Sequence, residues 1–193
     1  MKTKIVYLLT AFALTAVCAA CGSKAASDGT EEASKGAVML IDDVLEQAGQ
    51  LVGDTIRFEG VCTHICKRSG RKIFLMGSDD TKTLRVEDAG LGKFDPRCVN
   101  HVVCVTGVLR EQRIDEEYLK FQESLLEEQA AGRLEGQAGG CETEQKARQE
   151  TASTPEQRIA DMRARIAERE QQEGKAYLSF YFVDAVAYEI AEK

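Results

Sequence analysis

Tryptophan is absent, and there are only 2 prolines and 2 histidines; 32 aspartates and glutamates outnumber 25 lysines and arginines. Each shortage excludes something. With so few imidazoles, no Ser-His-Asp set stands out, nor does a phosphate-binding Gly loop or a pair of isolated carboxylates, so catalysis is not expected. A net charge of -7, with the basic residues not gathered into one block, is the opposite of what nucleic acid selects. What is present, 44% hydrophobic and 30% charged residues, suits one globular domain with a polar accessory segment.

The first residues address the chain to export. Met1 to Lys4 form a basic start, Ile5 to Ala20 an unbroken apolar stretch, and small residues lead to Cys21-Gly22-Ser23. That is the layout of a secretory signal, too short and without the basic stop of a membrane span. Ala19 and Ala20 before Cys21 resemble the lipobox of bacterial lipoproteins, with Cys18 where Leu is usual. Cys18 is itself a poorer acceptor after bulky Val17, so lipidation is expected at Cys21. Residues 1–20 are read as signal peptide. Residues 21–36, small and polar, read as a lipid-anchored flexible tether, because they cannot bury enough surface to offset chain entropy. The expected location is the bacterial cell envelope, on a membrane facing the periplasm or the cell surface, where disulfides are permitted.

Residues 37–193 are read as the folded domain. Asp42 is placed to cap a short helix carrying Val44, Leu45 and Ala48. Strand-like runs follow at Thr55–Cys66, Lys72–Met76, Thr83–Val86, Val99–Leu109 and Tyr177–Ile190. Between the last two lies an insertion at about 111–174. Ile114, Tyr118, Phe121 and Leu125 recur at helical spacing over roughly 115–131, and Gly132 to Ser153 reads as a mobile loop. Thr154-Pro155-Glu156-Gln157 then starts a second helix, with Ile159, Met162 and Ile166 as a narrow apolar stripe. The helices are expected to form a hairpin whose faces cover each other or, failing that, dock a protein partner.

Five strands, the first long and interrupted by Gly60, predict an all-β core with helical decoration: a five-stranded OB-type barrel with a short N-terminal helix and a helical hairpin between strands 4 and 5. Gly60, Cys66 and Gly70 carry a resemblance to uncharacterised exported bacterial OB-fold lipoproteins, akin to periplasmic, anticodon-binding-like OB-fold proteins of unknown function. Some relatives have a second Cys where this chain has Arg71; others have a His at the position of His64. The resemblance implies the fold and brings no activity with it.

Cys62, His64 and Cys66 alternate along one strand and are expected to share a face. A bulge at Gly60 would turn that face outward and send Val61 and Ile65 inward. His101 and Cys104, on the strand expected alongside, complete a candidate zinc or copper site. Alternatively Cys62 or Cys66 pairs with Cys98 or Cys104 in a structural disulfide, or one pair is redox-active. Cys141, in the Gly-rich loop, would be free or intermolecular. Lys67, Arg68, Arg71 and Lys72 form a basic turn with only Phe74 as a stacking aromatic, which argues for a solvated turn over an oligonucleotide site. The function expected is a lipid-anchored binding or scaffolding module. The alternatives are metal or thiol-redox use of the cysteine cluster, and oligonucleotide or oligosaccharide binding on the OB face.

Overall fold

The computed structural model describes residues 37–133 and 141–191, so the signal, the tether, Cys18 and Cys21 lie outside the described residues. In chain order the elements are β1 (Met39–Leu40), α1 (Ile41–Leu51), β2 (Thr55–Ile65), β3 (Lys72–Met76), β4 (Thr83–Asp88), β5 (Val102–Ile114), α2 (Glu116–Ala130), α3 (Glu142–Ala147), α4 (Pro155–Glu173) and β6 (Leu178–Ile190). The strands close in the order β2-β3-β4-β6-β5 and back to β2. Four of those pairings are antiparallel and β4–β6 is parallel. This is the five-stranded OB-type barrel, with β1 added as a short parallel strand beside β2.

Closure depends on β2. Thr55 to Val61 pair with β5, and Val61 to Ile65 pair with β3, so one long strand serves both edges. Its alternation buries Ile56, Phe58 and Cys62. A Cβ at Gly60 would stand 2.7 Å from Ile41 Cγ1, so the glycine makes room for α1. Ile41, Val44 and Ala48 of α1 enter the core there. Fully burying an aliphatic side chain of that size is worth about 1.5–3 kcal/mol, which outweighs the roughly 0.5–1 kcal/mol that Gly costs inside a strand. Asp42 does not cap α1. Its carboxylate accepts from the Ser78 amide at 2.9 Å and from Lys82 Nζ at 2.7 Å, tying the helix to the β3–β4 turn.

The insertion runs from 115 to 177, because β5 continues to Ile114 and pairs there with Leu178 at the start of β6. Gly107 permits the bend in this ribbon, since a Cβ would meet Asp184 O at 2.5 Å. Beyond the barrel the ribbon carries a second small core of Ile114, Leu119, Ile159, Met162, Ile166 and Leu178. The two helices thus cover each other. Asp115 caps α2 through the Tyr118 amide, and Thr154, Pro155 and left-handed Gly174 bound α4 as their residue types predict.

Two further expectations fail here. Phe121 is 58% exposed, and Leu119 is fully buried in its stead, because the face that meets α4 is rotated from the stripe drawn through Phe121. The stretch read as a mobile loop contains α3, with Glu144 and Arg148 buried. Its anchors are ion pairs, which leave no trace in an apolar periodicity.

Candidate functional site

The thiols and imidazoles do not assemble as the alternation suggested. The register of β2 against β3 shifts between Cys62 and His64, so the bulge follows Cys62 and is not at Gly60. Cys62, opposite Leu75, therefore points into the core and is fully buried, while Ile65, opposite Ile73, packs against the core. His64 lies opposite Phe74 with its ring 5.8 Å away. Cys66 begins the following turn, half-buried. Cys104 alternates with buried Val103 and Val105 and pairs with Glu59 and Glu189, and His101 Nδ1 is 3.1 Å from the Val99 carbonyl. Among the described residues no three His, Cys, Asp or Glu side chains are grouped to hold a metal ion. Cys62, Cys66, Cys98, Cys104 and Cys141 are all thiols.

Their chemistry differs with their surroundings. Burial, then neighbouring Cys98, pushes the Cys62 thiol up to about 11; burial also raises fully buried Cys98. At Cys66, burial opposes ionisation, but hydrogen bonds from Ser69 and Arg68 and the Lys72 charge hold the thiol below its ordinary value. Cys141, just before α3, has its Sγ 3.9 Å from His64 Nε2. Burial, then the Lys67 charge, keeps that imidazole below its usual pKa.

A different constellation occupies the barrel's outer face. β3 and β4 each bury three residues in a row, Ile73 to Leu75 and Leu84 to Val86, so both faces of these strands are covered. Ile73, Leu75, Leu84 and Val86 belong to the barrel core. Phe74 and Arg85, paired across the strands, face the other way. The cover is α3. Glu144 accepts hydrogen bonds from Arg85 Nη1 and, at 2.8 Å, from Arg148 Nη2, and Lys72 Nζ stands 3.8 Å from it. Gln112 Oε1 accepts from both guanidiniums, at 3.2 and 3.3 Å, holding the like charges side by side. Arg85 lies 4.7 Å over the Phe182 ring and Arg148 lies 5.9 Å from the centre of Phe180. Around this cluster is a cavity of about 310 Å³. Its barrel side is Phe74, Thr83, Arg85, Ser179 and Tyr181, and its other walls come from α1, α3 and α4 through Leu45, Glu144, Arg148 and Arg165.

Ions this deeply placed lose hydration, and their attraction repays that loss only with further hydrogen bonds. What they supply is position: α3 has little apolar surface, yet it is fixed in one register over β3 and β4. The arrangement suits non-covalent capture of a small molecule. Sequence reasoning passed over Arg85, Glu144, Arg148 and Arg165. Two signals were present: a charge flanked by core residues in Leu84-Arg85-Val86, and an acid–base pair at i, i+4 in Glu144 and Arg148.

No family model matches the chain, and no curated protein matches it. Among solved structures it is similar to a DUF3299 family protein from Pseudomonas aeruginosa PAO1, at 13% identity and a TM-score of 0.25. That likeness covers 36% of this chain and 54% of the other, so it spans about half the length of its counterpart and lends no argument about function.

Proposed function

We propose that this protein is an exported, lipid-anchored OB-fold binding module that captures a small ligand between its barrel and its helical insertion, without catalysis. The observation that carries the reading is the cavity of about 310 Å³ on the outer face of β3 and β4, walled by aromatic, hydroxyl and guanidinium groups. Ligand sites are commonly concave, partly apolar and provided with a few converging polar groups, and this cavity has all three properties. Anchoring through Cys21 and the 21–36 tether would hold the domain at a membrane of the bacterial envelope.

Two experiments test the parts separately. Palmitate labelling and membrane fractionation of Cys21→Ser should show loss of both label and membrane association; retention of both would remove the anchor. Ligand-observed NMR with a fragment library should find binders of the parent that Ala147→Trp, whose indole fills the cavity, no longer binds. Equal binding to both forms would remove the cavity as the site.

A further inference from the structure

The cavity lining presents three cations, Arg85, Arg148 and Arg165, and one carboxylate, Glu144, while Glu87 and Glu150, 3.0 and 3.7 Å from Arg85 and Arg148, stand outside the lining. Each guanidinium carries five N–H donors. Glu144 and Gln112 take some of those from Arg85 and Arg148, but the buried Nε groups of both residues have no hydrogen-bond acceptor. Arg85 Nε is 3.0 Å from Glu87 Oε1, close enough for attraction but not aligned for a hydrogen bond. Among the described residues, Arg165 donates one bond, to the Arg148 carbonyl at 3.2 Å. The Nε atoms of Arg85 and Arg148 are enclosed by protein and out of reach of the cavity, whereas Arg165, with one of its five donors used among the described residues, keeps donors for an acceptor from outside.

We propose that the cavity binds a small organic oxyanion, a phosphate ester or a carboxylate, held by Arg85, Arg148 and Arg165. This inference rests on the cavity being the ligand site. Guanidinium forks match both head groups. Glu144 is then the internal carboxylate that occupies part of the cationic surface and competes with the ligand. At about 310 Å³ the space equals the liquid volume of about ten waters, more than a bare phosphate needs, and Phe180 and Tyr181 offer apolar surface for a flat body.

The test is calorimetric titration of the full chain in detergent at constant ionic strength with phenyl phosphate, benzoate and neutral benzyl alcohol. At least one anion should bind tenfold or more tightly than benzyl alcohol, and the better of the two identifies the head group. Arg165→Gln, which keeps the Arg85–Glu144–Arg148 side-chain contacts and gives up only the bond to the Arg148 carbonyl, should weaken that anion tenfold or more. Anions no better than benzyl alcohol, or undiminished anion binding by Arg165→Gln, would overturn the proposal. If benzyl alcohol binds the parent but not Ala147→Trp, and the anions have no advantage, the oxyanion inference fails while the cavity stands. If Ala147→Trp changes nothing, the cavity reading fails as well.

Discussion

Replacing Glu144 with Gln removes one charge and almost no volume. The carboxylate it replaces is 9% exposed, and the two arginines it joins are 10% exposed. Deleting one member of such a buried cluster typically costs about 3–5 kcal/mol, chiefly because the charges left behind remain desolvated. Gln keeps an acceptor oxygen, which places the expected loss near the lower bound, about 3 kcal/mol. Undocking of α3 sets a ceiling, since the segment can leave the barrel and let Arg85 rehydrate without the barrel opening. If α3 stays docked, the whole loss falls on global unfolding and Tm drops by about 6–12 °C. If it undocks, Tm moves less and the loss appears locally. A loss of about 3 kcal/mol raises the local opening constant roughly a hundredfold. Hydrogen exchange at the Arg148 and Glu150 amides, which donate within this segment, reads that directly. A variant with both unchanged Tm and unchanged exchange at those amides would refute the role assigned to the buried charges.

Three further outcomes follow from the geometry. Leu119→Ala should cost about 2–5 kcal/mol in urea unfolding and Phe121→Ala less than about 0.5 kcal/mol; the reverse order would contradict the observed face of α2. Alkylation by iodoacetamide at pH 8 should reach Cys66 first and leave Cys62 and Cys98 unmodified until the protein unfolds, as peptide mass mapping would show; early modification of Cys62 would refute its placement in the core. Hydrogen bonds from Lys82 and then Ser78 hold the Asp42 carboxyl below the ordinary carboxylate range. Its contribution is therefore present above the unfolded pKa, near 4, and is lost as pH falls through the lower folded value. The Tm gap between parent and Asp42→Asn should be wide at pH 7 and shrink on acidification, and a gap independent of pH would count against it.

The barrel was legible because strands announce themselves twice, by alternation and by the Gly- and Asp-rich turns that separate them. Lys72–Met76 is read from the sequence with the bounds the structure has, and α4 is bounded by the Thr154-Pro155 start. The face of each side chain was harder to read. A bulge inverts every residue after it, and moving it from Gly60 to just beyond Cys62 sends Cys62 from the surface into the core. Gly60 drew the bulge in the sequence reading, although its use is to admit Ile41. The cavity left only the two faint signals at Arg85 and at Glu144 with Arg148. Its determinants are Arg85 on a strand and Glu144, Arg148 and Arg165 far along the chain, joined by charge and not by any apolar period. Sequence spacing ranks residues that repeat, and these do not.

The central claim is that ligand binds between the barrel and the insertion. Backbone amide shifts of the labelled full chain, followed by NMR through a phenyl phosphate titration, address it most directly. The account predicts saturable shifts confined to 83–85, 144–149, 165 and 179–181, with none at Phe121 or Cys104. Shifts that do not saturate, or that saturate elsewhere on the surface, would contradict it.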